Sequence, residues 1–79
     1  MLTLYVKTGC PFCQKVLDTA KELNIELRLK NVVDAGVADE LIARGGKRRE
    51  PYLVDDARGV EMYESADIAT YLREKYPPH

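Results

Sequence analysis

The sequence has few side chains that bind metal ions, and this scarcity limits how its cysteines can be used. Its 79 residues include two cysteines, one histidine (His79) and no tryptophan. A structural zinc site normally needs four cysteine or histidine ligands, and the chain supplies three. We therefore expect no metal site.

The sequence also lacks long hydrophobic runs and an excess of charge of one sign. No apolar stretch approaches the ~20 residues that span a bilayer, and no basic segment of a secretion signal follows Met1. The formal net charge of -1 favours neither nucleic acid nor an anionic membrane as a partner. We expect a cytoplasmic monomer with one domain, residues 1–79, because a chain of this size with 46% hydrophobic residues suits a single modest core.

The two cysteines stand together as Cys10-Pro11-Phe12-Cys13, between a strand-like run and a helix-like one. If Cys10 caps the helix and Pro11 lies in its first turn, free backbone N–H groups and the helix dipole favour the Cys10 thiolate. Cys13 follows one turn later on the same face, within reach of a disulfide. The motif predicts thiol redox or thiol-transfer chemistry.

Three other roles of the cysteine pair stay open at this point: a structural disulfide, half of a zinc site, and two buried thiols that only pack. A disulfide across so short a loop removes little entropy from the unfolded chain, so a purely stabilising role is disfavoured. A reducing cytosol also favours a catalytic pair over a structural one.

Hydrophobic periodicity in the first half predicts a βαβ unit followed by a helix. Leu2–Val6 is a short apolar run typical of a buried strand, and residues 11–24 have helical spacing. Alternation over 25–30 predicts a second strand near a sheet edge. A further helix over 37–42 is predicted to be capped by Asp34.

The second half predicts a hairpin followed by a helix. Pro51 opens a strand at 52–54, and a polar turn joins it to a strand over 60–63. Ser65 is the expected N-cap of the last helix, which the prolines at 77–78 are expected to end.

This order of elements, with Cys-X-X-Cys at the start of the first helix, resembles a glutaredoxin of the thioredoxin fold. The resemblance covers almost the whole chain, through residues 5–7, the motif at 10–13, the X-Pro at 50–51 and the polar helix start at 64–67. It implies an α/β thioredoxin-like fold with a four-stranded mixed sheet (βαβ, then a helix, then ββα) and helices on both faces.

The later half is also similar to the N-terminal domain of glutathione transferases. That similarity rests on Pro51, the hairpin over 52–63, Glu64-Ser65 at a helix start and Tyr71-Leu72. Transferases add a large helical domain for their second substrate, and we expect none within 79 residues. Both families bind glutathione, so glutathione is the expected cofactor or substrate.

The glutaredoxin resemblance implies a glutathione-dependent thiol-disulfide oxidoreductase. Cys10 would attack the disulfide between glutathione and a protein, and Cys13 would resolve mixed disulfides with proteins. The implied partners are glutathione and proteins that are glutathionylated or contain disulfides.

The resemblance also implies residues that bind glutathione. The backbone of Glu50, next to a cis Pro51, would contact the cysteinyl part, and N–H groups at the last helix would bind the γ-glutamyl carboxylate. The glycyl carboxylate would be bound by cations, and Phe12 would give an apolar contact. The side chains proposed for these contacts are Lys7, Phe12, Arg49, Glu50, Pro51, Glu64, Ser65 and Asp67.

One triplet departs from the glutaredoxin pattern, in which Thr-Val-Pro is common. Here the sequence reads Arg49-Glu50-Pro51, which places a charged pair beside the active thiol. Glu50 would either oppose the cations that favour the Cys10 thiolate or select basic protein partners.

Three alternative functions remain. Some glutaredoxins hold an iron-sulfur cluster between two protomers, although those relatives typically have Gly after the first cysteine and Ser at the last position, unlike Pro11 and Cys13 here. A thioredoxin-like reductant fed by a flavoprotein reductase is the second alternative. A glutathione-binding carrier or adaptor without catalysis is the third, and for it an intact pair of cysteines would be a liability.

Overall fold

The computed structural model describes residues 1–77 as a mixed α/β structure. Its elements, in chain order, are β1 (Leu2–Val6), α1 (Pro11–Glu22), β2 (Arg28–Asn31), α2 (Val37–Gly45), β3 (Tyr52–Asp55), β4 (Val60–Tyr63) and α3 (Ser65–Lys75). Pro78, which was expected to help end the last helix, and His79 lie outside the described residues.

The four strands form one mixed sheet in the order β2-β1-β3-β4. β1 pairs with β2 in parallel, while β3 is antiparallel to both β1 and β4. The predicted thioredoxin-like arrangement of four strands in a mixed sheet is confirmed.

The helices cover both faces of the sheet, because β1 and β3 are buried on both sides. On one face, Leu4 of β1 and Leu53 of β3 pack with residues of α1 and α3. On the other face, Tyr5 and Tyr52 of the same strands pack around Leu41 of α2. This alternation along each strand is the reason that two separate apolar clusters form.

The second strand begins later than the alternation over 25–30 predicted. β2 begins at Arg28, whereas Ile25 and Leu27 precede it as half-buried loop residues that pack on the core cluster under α1 and α3. The Ile25 N–H also donates to Ala20 O at the end of α1. Ile25 and Leu27 of the alternating run therefore belong to a loop packed on the core, while Leu29 lies in β2. The expected place at the sheet edge is confirmed.

Two predicted helix caps were also wrong. α2 is capped by Gly36 with φ of 81°, a left-handed conformation that glycine adopts without steric cost, while Asp34 contributes only its carbonyl to the Val37 N–H. α3 is capped by Glu64, which makes no side-chain capping bond, and Ser65 is the first helical residue.

A buried carboxylate joins the hairpin to α3 at the end of the sheet opposite the cysteines. Asp55, at the end of β3, is fully buried and pairs in register with Leu2. Its Oδ2 accepts hydrogen bonds of 2.7 Å from the hydroxyls of Tyr71 and Tyr76. Burial acts to raise the pKa of Asp55, but the two tyrosine hydrogen bonds and the nearby Arg58 outweigh it and hold that pKa below its ordinary value.

Within residues 1–77, none of the helices is both long enough and apolar enough to cross a bilayer.

Candidate functional site

The segments that the sequence predicts for the site lie at one end of the sheet. β1 ends there and leads into the cysteine loop, and β3 begins there, since Tyr5 pairs with Tyr52. β4 ends here as well, because Tyr63 pairs with Tyr52 on the other side. The cysteine loop, Pro51 and the start of α3 therefore meet at one end of the sheet.

Cys10 lies at the N-cap of α1, as the motif predicted. Its backbone is extended (φ -84°, ψ 111°), Pro11 follows at the first helical position, and its Sγ accepts the Cys13 N–H at 3.2 Å. The Cys10 N–H donates to Lys7 O at 3.1 Å, which closes the turn after β1. Because the free N–H groups of the helix start face this sulfur, the position suits an atom that carries negative charge.

Cys13 has a contrasting environment. It is 2% exposed and belongs to the apolar cluster beneath α1 and α3. Burial raises the pKa of the Cys13 thiol to about 12, and its hydrogen bond with Cys10 and the charge of Glu50 act in the same direction. Both cysteines are free thiols. Cys13 is therefore a protonated, shielded thiol at neutral pH, beside a half-buried Cys10.

A groove of about 490 Å³ opens beside the two sulfurs. Lys7 lines it from the end of β1 and Asn31 from the end of β2. The Asn31 amide donates to the Thr8 hydroxyl at 2.9 Å, which joins the two loops that border the groove. The groove leaves the half-buried Cys10 accessible from solvent.

The residues next to the sulfurs differ in exposure. Phe12 is 64% exposed, so its ring is accessible from solvent. The contact of Phe12 with a substrate stays a prediction. Pro51 is buried and the Glu50-Pro51 peptide bond is cis, as expected. Glu50 is half-buried, and its carboxylate is near enough to act on Cys13. Tyr5 and Tyr52 are buried packing residues, with ring centroids 6.0 Å apart.

Two of the proposed glutathione-binding residues contact each other directly. Arg49 Nη2 lies 2.9 Å from Glu64 Oε1, and both side chains are more than half exposed. The ion pair joins the loop before Pro51 to the N-cap of α3. Lys7, by contrast, is exposed on the other side of Cys10, where it lines the groove.

The start of α3 offers backbone donors and one acidic side chain. Ser65 is 8% exposed at the first position of the helix, and Asp67 is exposed in the first turn. Glu64, with φ of 73°, is one of two residues other than glycine that have positive φ within residues 1–77. This turn places the first N–H groups of α3 at the end of the sheet where Cys10 lies.

Sequence reasoning missed Tyr63, whose hydroxyl hydrogen-bonds to the backbone of Lys47 in the loop after α2. Tyr63 was read only as a strand residue. Gly45 was the available signal, because a glycine before the C-cap of a helix leaves room for another group to approach the backbone closely.

Metal ligands are not clustered in the described residues. No three histidine, cysteine, aspartate or glutamate side chains within 1–77 are placed to hold an ion.

Comparison with known protein families identifies one match. The family profile described as "Glutathione S-transferase, N-terminal domain" matches residues 4–79. The similarity to transferases, expected for the later half, thus extends over the cysteine motif as well. No curated protein sequence matches the chain.

Solved structures give the same result. Glutathione S-transferase 1-6 from Anopheles dirus species B is 35% identical with a TM-score of 0.81, over 98% of this chain and 37% of that chain. A delta-class glutathione transferase of Nilaparvata lugens is 31% identical with a TM-score of 0.81, over 96% of this chain and 36% of its own. A glutathione S-transferase of the Antarctic clam Laternula elliptica is 29% identical with a TM-score of 0.81, over 96% and 35%. The chain spans little more than a third of the length of these three proteins.

Proposed function

Since the chain belongs to the family of glutathione S-transferase N-terminal domains, we propose that it acts as a glutathione-dependent thiol-disulfide oxidoreductase of the glutaredoxin type. Its substrates would be glutathione mixed disulfides and protein disulfides. The observation that carries this proposal is the difference between its two sulfurs. Cys10 is half-buried at a helix N-terminus and accepts an N–H, whereas burial raises the pKa of Cys13 to about 12.

The two environments suit an attacking and a resolving thiol. The Cys10 thiolate attacks the glutathionyl sulfur of a mixed disulfide, a bond forms between these sulfurs, and the substrate protein leaves as a thiolate that takes a proton from water. A second glutathione thiolate then attacks the same glutathionyl sulfur. Glutathione disulfide leaves and Cys10 is regenerated.

Reduction of a protein disulfide needs Cys13 as well. After Cys10 has formed a mixed disulfide with the protein, the Cys13 thiol gives its proton to water and its sulfur attacks the Cys10 sulfur. The bond between Cys10 and the protein breaks, the second protein thiolate leaves and takes up a proton from water, and a Cys10–Cys13 disulfide remains. Two glutathione molecules reduce this disulfide and are released as glutathione disulfide.

The residues around Cys10 fit the charges of glutathione, which carries two carboxylates and one ammonium. The first N–H groups of α3, at Ser65, would bind the γ-glutamyl carboxylate, and Glu64 or Asp67 would bind the ammonium. Arg49 and Lys7 are the cations for the glycyl carboxylate.

The proposal is tested by glutathione-dependent reduction of a glutathionylated peptide and, separately, of insulin disulfides. The parent protein should catalyse both reactions. Cys10→Ser should abolish both, whereas Cys13→Ser should retain the first and lose the second. Full loss of peptide deglutathionylation in Cys13→Ser, or retention in Cys10→Ser, would contradict the assigned roles. Faster reduction of the protein by thioredoxin reductase than by glutathione would favour a thioredoxin-like reductant.

A glutathione-binding module without redox turnover is a second candidate, favoured by the match to proteins named as transferases. Such a module would bind S-methylglutathione, a form that cannot react, with equal affinity in the parent and in Cys10→Ser. It would reduce neither disulfide substrate, so the same assays separate the two candidates.

A further inference from the structure

The loop from Gly46 to Glu50 is held at its start by the side chain of Tyr63. The Tyr63 hydroxyl accepts the Lys47 N–H at 3.2 Å and donates to Lys47 O at 2.8 Å. One side chain thereby satisfies both backbone polar groups of a loop residue, as a neighbouring strand would. The Lys47 ammonium also lies 5.7 Å from the centroid of the Tyr63 ring.

Gly45 leaves the space that this contact needs. A methyl group at Gly45 would overlap the Tyr63 hydroxyl oxygen, and the ring carbon that bears the hydroxyl would be 2.7 Å from it. Gly45 is the last residue of α2, where alanine would otherwise favour the helix. The glycine at this position is therefore explained by the close approach of Tyr63.

The ring of Tyr63 is itself fixed by the sheet. Tyr63 pairs in register with Tyr52, and the two ring centroids are 4.4 Å apart. Tyr52 directly follows the cis Pro51, and Glu64 directly follows Tyr63. Tyr63 thus lies between the two backbone segments that flank the site, the one that leads to Pro51 and the one that opens α3.

The same loop is held at its other end by the ion pair between Arg49 and Glu64. The hydrogen bonds of Tyr63 and the ion pair of Glu64 both join the loop to residues 63–64. Exposed ion pairs contribute little to a fixed geometry, whereas the two hydrogen bonds of Tyr63 fix the backbone of Lys47 in direction as well as distance.

We propose that Tyr63 is a positioning residue that sets the separation of the two backbone walls of the glutathione site, at Glu50 and at the start of α3. The inference rests on the proposed function, because that function assigns both walls to glutathione. Tyr63 contacts neither sulfur and acts on the affinity for glutathione through Lys47, not on the reactivity of Cys10.

The test compares Tyr63→Phe with Tyr52→Phe as the matched control. Both changes remove one hydroxyl from neighbouring rings, but the Tyr52 hydroxyl donates to Glu61 of the same hairpin and does not touch the loop. Binding of S-methylglutathione is followed by NMR titration, and reactivity of Cys10 by the rate of alkylation with iodoacetamide across pH.

Tyr63→Phe should weaken binding of S-methylglutathione about fivefold, since a typical net hydrogen bond corresponds to a change of that order. The pH profile of Cys10 alkylation should match that of the parent. Gly45→Ala should have the same effect by displacing the Tyr63 ring, and backbone amides over 48–50 should exchange hydrogen faster in both variants. Tyr52→Phe should bind like the parent.

Binding by Tyr63→Phe that equals the parent would overturn the inference while leaving the proposed function intact. Equal weakening by Tyr52→Phe would also overturn it, because the effect would then belong to the hairpin as a whole. A parent that fails to bind S-methylglutathione would refute the proposed glutathione site, and with it this inference.

Discussion

The charge of Glu50 acts on the buried thiol of Cys13. Its carboxylate helps to raise the pKa of Cys13, although burial is the larger cause. Glutathione is a net anion, so under the proposed function the same carboxylate would oppose its approach to Cys10. Because Glu50 is only half-buried, solvent and salt screen this repulsion and its effect is modest.

Glu50→Gln, which keeps the shape of the side chain and removes its charge, should raise kcat/KM for glutathione about two- to fivefold at low ionic strength. The gain should shrink in 0.5 M salt. Glu26→Gln is the control, because Glu26 is exposed in the loop between α1 and β2, at the end of the sheet opposite Cys10. Unchanged kinetics in Glu50→Gln, or an equal gain in Glu26→Gln, would show that Glu50 does not repel glutathione.

At the scale of elements, the sequence predicted what local periodicity controls. β1, α1 and β4 follow from apolar spacing, and the position of Cys10 at a helix start follows from the strand before it and Pro11 after it. The start of β2 was misplaced because loop residues that pack on a core alternate in the same way as a strand.

The parts that could not be predicted depend on contacts between distant elements. The Tyr63 hydroxyl reaches Lys47 only because β4 pairs with β3 and α2 ends beside them. The sequence predicted Asp55 only as the first residue of a polar turn. No local pattern shows that the hydroxyls of Tyr71 in α3 and of Tyr76 at its end donate hydrogen bonds to it.

The hydrogen bond from Tyr71 to Asp55 attaches α3 to the hairpin, and removing it tests how much this attachment stabilises the fold. Tyr71→Phe removes one hydrogen bond to a buried carboxylate and should lower the free energy of unfolding by about 1.5 to 3 kcal/mol in urea denaturation. Asp55→Asn should cost more, because it weakens both tyrosine contacts at once. The double variant should cost less than the sum of the two single changes. Strictly additive losses would mean that the two side chains do not stabilise α3 through each other.

At the scale of the whole molecule, the candidate site and the buried Asp55 contacts that attach α3 lie at opposite ends of one sheet. The end of the sheet where β1 stops holds Cys10, Pro51 and the start of α3. Asp55 lies at the other end, opposite Leu2. The two ends share α3, whose first turn belongs to the site and whose last turns contact Asp55. A change at Asp55 should therefore alter global stability and leave the chemistry of Cys10 as it is.

Acid unfolding tests whether the Asp55 end of the sheet acts independently of the Cys10 end. The folded-state pKa of Asp55 lies below its ordinary value, so the unfolded chain, with an aspartate pKa of about 3.9, binds a proton more readily than the folded one. The stability that Asp55 contributes is complete above about pH 5 and is lost as pH falls through the folded-state pKa. The free energy of unfolding of the parent should hence fall steeply below about pH 4, and that of Asp55→Asn should fall less.

Glu40→Gln is the control. The pKa of Glu40 is also lowered, chiefly by its hydrogen bond with Lys30. Because this ion pair is more exposed than Asp55, its loss should change the acid slope less. At neutral pH the rate of Cys10 alkylation should be equal in the parent and Asp55→Asn. An altered rate would show that the two ends are coupled, and an acid slope that Asp55→Asn leaves unchanged would show that Asp55 does not cause the loss of stability in acid.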